Sequence, residues 1–94
     1  MVIIVMILAG LLSSCAGKGK ELFRSKGCIR CHSFKGEGGN IGPDLTAVAN
    51  RRSGSRIRQQ IKNSKKHNPQ SRMPDFSRLS EYEIRSIIAY FKRG

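Results

Sequence analysis

Residues 28–32 read Cys28-Ile29-Arg30-Cys31-His32, and no other stretch constrains this chain as tightly. On one helical turn, positions i, i+3 and i+4 share a face, so this spacing aims two thiols and an imidazole in one direction. A redox dithiol would use the same Cys-x-x-Cys, but it sits after a strand in a βαβ unit, and this sequence has almost no alternating β-branched runs. A structural zinc site would need a full tetrahedral set of ligands. Outside Cys15 the chain offers only Cys28, Cys31, His32 and His67, and the adjacent Cys31 and His32 are awkward partners on one ion.

The remaining reading is covalent haem attachment, with Cys28 and Cys31 each adding to a vinyl group and His32 reaching the iron. A single such motif rules out a two-haem enzyme within this chain. An iron that only transfers electrons takes a second axial ligand, usually Met or His, which closes the site to small molecules. Met73 is the one methionine outside the first six residues. It lies in Ser71-Arg72-Met73-Pro74-Asp75-Phe76, a loop-like stretch in which Pro74 fixes φ and removes a backbone donor. Met73 is favoured as the ligand, with His67 as its competitor. A covalent cofactor also answers a problem of size. The chain has 94 residues, and a domain of roughly 80 residues buries too little apolar surface to be secure without a staple or a bound group.

Residues 1–12, Met-Val-Ile-Ile-Val-Met-Ile-Leu-Ala-Gly-Leu-Leu, are almost wholly apolar. The run is short of the roughly 20 residues of a membrane span and fits the apolar region of an export signal. It leads into Leu12-Ser13-Ser14-Cys15, which resembles the lipobox of bacterial lipoproteins, in which the cysteine becomes the lipidated first residue. No Lys or Arg stands between Met1 and the apolar run, so an uncleaved apolar anchor is the second form of the same tether. The expected organisation is a signal peptide over 1–14, a short tether from lipidated Cys15 over 15–18, and one folded domain over 19–94. With Cys15 lipidated, the odd cysteine is accounted for. The protein is then extracytoplasmic, on the periplasmic side of a membrane that holds it.

Eighteen Lys and Arg against six Asp and Glu give a formal net charge of +12, all of it after residue 17. Such a chain attracts acidic proteins, anionic membranes or nucleic acid, and export removes nucleic acid.

With Cys28–His32, the Gly42-Pro43-Asp44-Leu45 segment and Met73-Pro74-Asp75-Phe76, the sequence resembles a class I cytochrome c over about residues 17–94. The resemblance implies an all-α fold of about three to four helices wrapped around one covalent haem c, with little or no sheet. It also implies that the Pro43 carbonyl accepts the hydrogen bond of the His32 imidazole, a contact that fixes ring orientation. Gly19-Lys20-Glu21-Leu22-Phe23 matches the family's first helix, which packs on the last. That last helix is legible from its own residues. Ser80 and Glu83 form a capping box, Leu79 and Ile84 a hydrophobic staple, and Ile84, Ile87, Ile88 and Phe91 one apolar stripe. Tyr90 and Phe91 are expected against Gly19 and Phe23. Ser55–Asn63, with Ile57 and Ile61 at i, i+4, reads as a short helix, whereas Gly36–Gly42 and Asn63–Arg72 read as loops.

Arg51 and Arg52 are candidate partners for the haem propionates. With both axial positions taken, the expected function is that of a monomeric one-electron carrier, or a subunit of a larger oxidoreductase, rather than an enzyme in its own right. Methionine ligation points to a high-potential acceptor such as a terminal oxidase or a peroxidase. An acidic face of that partner would meet a rim including Lys26, Lys35 and Arg72. The alternative is a haem sensor or small-ligand-binding protein with a labile sixth ligand.

Overall fold

The computed structural model describes residues 17–93. Among them are six helical segments and one minimal hairpin: α1 (17–25), α2 (Cys28–Cys31), β1 (Ser33–Phe34), β2 (Glu37–Gly38), α3 (Val48–Arg51), α4 (Gly54–Lys62), α5 (Ser64–His67) and α6 (Glu81–Arg93). Three of these helices exceed one turn, and the sheet is two residues per strand, so the architecture is the all-α one expected. Residues 1–16, including Cys15 and the apolar run, lie outside the described residues. Among the described residues no helix is long and apolar enough to cross a membrane.

α6 organises the rest. Its start is the capping box foreseen in the sequence: Glu83 N–H donates to Ser80 Oγ at 3.1 Å, and Ser80 N–H donates to Glu83 Oε1 at 2.9 Å. The staple residues Leu79 and Ile84 are both buried in the core. Glu81 and Glu83 in the first turn and Lys92 and Arg93 in the last match the helix dipole. The buried face carries Ile84, Ile87, Ile88 and Phe91, each contributing roughly 1.5–3 kcal/mol if wholly removed from water. Ser86 interrupts that face, and its hydroxyl donates back to the Tyr82 carbonyl at 2.8 Å, so its polarity is met within the helix.

α1 crosses α6 at Gly19. A Cβ added there would overlap the Ser86 carbonyl oxygen and come within 2.8 Å of Tyr90 Cβ. The missing side chain therefore sets how closely the two backbones approach. Leu22 and Phe23 then enter the core, and Phe23 meets Tyr90 at 5.8 Å and Phe91 at 5.9 Å between ring centroids. Phe34 completes the group, 4.6 Å from Tyr90, 5.5 Å from Phe91 and 6.5 Å from Phe23. Tilted and edge-on rings at these separations add directional attraction to simple burial.

α4 starts one residue before the expected Ser55 because Ser53 caps it, its Oγ accepting from Arg56 N–H at 3.1 Å. Ile57 is buried and Ile61 packs on the core from its edge. α4 is latched to the start of α6 by Glu81, whose carboxylate takes Arg58 at 2.5 Å and 3.0 Å and Lys62 at 3.1 Å. Two short elements fall in or overlap the stretches read as loops. Ser64–His67 closes one turn of helix, and Ser33–Gly38 is a hairpin whose turn residues Lys35 and Gly36 have φ of 50° and 86°. Both are too short for periodicity to announce them.

Gly19→Ala is expected to destabilise the domain by roughly 3 kcal/mol, since the helices must part to admit a methyl group; chemical denaturation of the haem-loaded protein measures it. A second expectation concerns acid. The Arg58 and Lys62 partners pull the Glu81 carboxyl from 4.5 down to about 2. A group held below its unfolded value stabilises the fold above that unfolded value and loses its contribution as pH falls toward the folded one. Urea midpoints should therefore drop between pH 4.5 and 2, and Glu81→Gln should flatten that part of the profile.

Candidate haem site

α2 is a single turn, and it holds Cys28 and Cys31 as free, half-buried thiols. Cys28 packs against the core beside Ile29. Burial pushes the Cys28 thiol up, aided by the neighbouring Cys31 and only partly offset by a backbone hydrogen bond. That is the reverse of the lowered thiol of a redox dithiol. Among the described residues, no group of three or more His, Cys, Asp or Glu side chains converges as a bare metal ion would require.

His32 leaves the helix in extended conformation, and its orientation is set by the chain that follows. Gly39 N–H donates to Ile29 O at 2.9 Å, Gly42 N–H to Cys31 O at 2.7 Å and Leu45 N–H to Ser33 O at 2.8 Å. This lacing lays Gly42 and Pro43 along the imidazole. His32 Nδ1 lies 2.8 Å from Pro43 O. A carbonyl can only accept, so Nδ1 carries a proton, and in the neutral ring the lone pair is then on Nε2. Gly42 makes the approach feasible, because a Cβ there would stand 2.6 Å from His32 Cε1 and 2.8 Å from Nδ1.

The loop is closed by Asp44 and Thr46. Asp44 Oδ1 accepts from Thr46 N–H at 3.0 Å and from its hydroxyl at 2.7 Å, while Thr46 Oγ1 accepts from Lys35 N–H at 2.8 Å. These bonds hold the Asp44 carboxyl below its usual range, with a smaller pull from Arg51. The turn over the imidazole is thus tied to the hairpin that carries Phe34 into the aromatic core.

Met73 sits in a second laced segment. Its N–H donates to Ser71 Oγ at 3.2 Å, Ser71 N–H to Asn68 O at 2.9 Å, Gln70 N–H to Asn68 Oδ1 at 3.1 Å and Ser77 N–H to Asp75 Oδ1 at 2.9 Å. Side-chain-closed turns of this kind order a chain that has no helix or strand of its own. Met73 is half-buried, and its sulfur accepts from Gln60 Nε2 at 3.6 Å.

The family model for cytochrome c matches residues 16–93. The chain belongs to the cytochrome c family. The group that family carries is haem c, bound covalently, and the residues here fit it: two free thiols, an imidazole held with Nε2 available, and no side chain at Gly42 to crowd the ring. The chain is 46% identical over 41 residues to cytochrome c of Cochliobolus lunatus, covering 43% of this chain and 37% of that one. It is equally 46% identical over 41 residues to cytochrome c of Arabidopsis thaliana, covering 43% of this chain and 36% of that one. The matched segment is thus little more than a third of each relative's length. No solved structure matches the chain significantly.

Of the residues singled out from sequence, His32, Gly42 and Pro43 come together directly, with Cys28 and Cys31 on the preceding turn. Arg51 and Arg52 are exposed at the end of α3. Lys26 lies close enough to Glu83 to help lower its carboxyl, behind the main effect of the Ser80 backbone, and Lys35 sits 5.8 Å over the Phe34 ring. The side chain of His67 and all of Cys15 lie outside what is described. Sequence reasoning passed over Phe34 and Gln60. Phe34 carried a faint signal as an aromatic two residues past the motif, whereas a glutamine on a helix face carries none.

Gly42→Ala should push the imidazole off the Pro43 carbonyl and cost roughly 1–3 kcal/mol. The denaturation midpoint of the haem-loaded protein and the ring NH resonance of His32 are the readouts.

Proposed function

We propose that this protein is a one-electron carrier in which Cys28 and Cys31 hold haem c through thioether bonds and His32 and Met73 supply the axial ligands. The observation that carries the reading is the 2.8 Å contact of His32 Nδ1 with Pro43 O, which leaves Nε2 as the only ring nitrogen able to ligate. When bound, haem c supplies a one-electron iron couple whose potential depends on its axial ligands. His32 is held by the backbone through its contact with Pro43 O. Met73 is held by the Asn68, Ser71 and Asp75 turns and by Gln60. Ligands held in this way need to move little between oxidation states, which favours rapid transfer. Leu45, Val48, Ile61 and Phe76 are partly buried apolar residues on the edge of the core, suited to covering a flat apolar macrocycle. Arg51 and Arg52 are the proposed partners of the propionates, where a guanidinium pairs well with a carboxylate.

The rest of the proposal concerns place and partner. Residues 1–14 act as an export signal, Cys15 is lipidated, and the protein works on the periplasmic side of the membrane. What supports this is the apolar run ending in Leu12-Ser13-Ser14-Cys15. The carrier is monomeric and delivers electrons to a high-potential acceptor such as a terminal oxidase or a peroxidase. A charge of +12 favours an acidic docking face, with attraction screened beyond about 8 Å at physiological salt.

Produced with haem maturation machinery, the protein should show a covalent haem spectrum and, in the ferric form, the weak far-red band of methionine ligation. Met73→Ala should abolish that band and open the reduced iron to carbon monoxide. A covalent haem whose band is absent or survives the substitution would replace Met73 with another ligand or an open, sensor-like site. No covalent haem at all would overturn the proposal.

A further inference from the structure

A surface hollow of about 370 Å³ opens where the head of α1, the Ser33–Gly38 hairpin and the end of α6 meet. The buried Phe34 and half-buried Tyr90 give it an apolar base, and the exposed Lys20, Lys35 and Arg93 form a cationic rim. Glu37 is the one acid in the lining, and Arg24 holds its carboxylate at 2.6 Å. Among the described residues, Lys20, Lys35 and Arg93 join no salt bridge.

Lys35 reaches this rim at a local cost. Its φ of 50° lies in the left-handed region, a conformation that a hairpin turn more readily gives to asparagine or glycine. Its ammonium stands 5.8 Å over the Phe34 ring, at the edge of the hollow. Gly17 lines the same hollow and follows Cys15 by two positions. Two residues of extended chain span at most about 7 Å, so a group carried by Cys15 is kept beside this rim.

We propose that this face is the one the domain lays on the membrane, with Lys20, Lys35 and Arg93 against the phosphate groups of anionic phospholipids. The anchor in this proposal rests on the lipidation of Cys15 proposed above; the face rests on the hollow. Each Lys or Arg at an anionic bilayer strengthens partitioning about fivefold, so three of them hold a free protein only weakly. A lipid two residues away makes the contact intramolecular, and the effective concentration is then high enough for weak attraction to suffice. The contact does what a flexible tether alone does not: it fixes which way the domain faces. Neither Lys26 nor Arg72 lines the hollow, so both stay open to an electron acceptor while Lys35 is engaged with lipid. An acidic protein would satisfy the three cations equally well; the apolar base beneath them and the anchor beside them are what favour an amphiphile.

The test places the full haem-loaded chain in lipid discs of phosphatidylcholine, with or without phosphatidylglycerol, and follows how fast an amine-reactive reagent modifies each lysine. With phosphatidylglycerol, Lys20 and Lys35 should react several-fold more slowly, while the exposed Lys65 and Lys66 keep their rates. At 1 M salt, where the Debye length is about 3 Å, the difference should vanish. Arg93→Gln should weaken the shielding of Lys20 and Lys35 by up to about fivefold. Lys65→Gln makes the same change in net charge and should leave the shielding intact, and neither variant should move the visible spectrum or the denaturation midpoint. Equal loss in the two variants would mean that overall charge, not this face, draws the protein to lipid, and would overturn the proposal. Shielding of Lys65 and Lys66 in place of Lys20 and Lys35 would overturn it too, as would shielding that needs an added acidic protein instead of phosphatidylglycerol. Mass spectrometry of the Cys15 peptide separates face from anchor. An unlipidated chain whose Lys20 and Lys35 are still shielded keeps the face and removes the anchor; a lipidated chain without shielding overturns the face alone; a chain with neither overturns both.

Discussion

The contact on which the domain depends is the close crossing of α1 over α6, where Gly19 lies against the Ser86 carbonyl. Two helices at this separation bring Phe23 of α1 onto Tyr90 and Phe91 of α6, and the pocket between them is filled by Phe34. Phe34 is two residues beyond His32. The core and the site are therefore parts of one construction, because the residue that completes the aromatic group also fixes where the chain emerges from α2. A small domain that depends on a covalent group for part of its core gains from this coupling, since the frame exists around the place where the group attaches.

The site itself is built from two segments that have little regular structure, each made rigid in the same way. Around His32, backbone donors from residues 39 and 42 return to the turn that carries the thiols and that of residue 45 to Ser33 just beyond the imidazole, and Asp44 and Thr46 close the loop. Around Met73, Asn68, Ser71 and Asp75 close successive turns with their side chains. A loop with no ladder to satisfy its backbone must find local partners or remain in water. Here it finds them in short polar side chains, which is why the segment holding an apolar sulfur is itself so polar. α4 completes the arrangement by reaching Met73 through Gln60, and Glu81 in turn fastens α4 to the start of α6.

Charge follows the same division between frame and surface. The carboxylates are few, and most have a defined partner: Glu81 joins helices, Glu83 closes a cap, Asp44 and Asp75 close turns, and Glu37 meets Arg24 at 2.6 Å. The acidic groups are thus largely taken up by structure. The excess of Lys and Arg is left over, available to act at a distance on an oppositely charged partner.

Some of this was determined by the sequence alone, because the information is local. Two thiols and an imidazole within five residues have one economical chemistry, and the haem family followed from them with the Gly-Pro-Asp and Met-Pro-Asp segments. The cap, staple and apolar stripe of α6 were equally readable, since each relies on residues no more than a few positions apart. Other features were settled only when distant parts of the chain met. Ser64–His67 and the Ser33–Gly38 hairpin are too short to leave a period in the sequence and exist because their neighbours hold them. Phe34 is a core residue because α1 and α6 leave a space of its size. Gln60 touches a sulfur 13 positions away, and nothing in a helical glutamine announces that. Pairing across the chain depends on how helices cross, and the crossing is decided by the whole packed set of side chains rather than by any one of them.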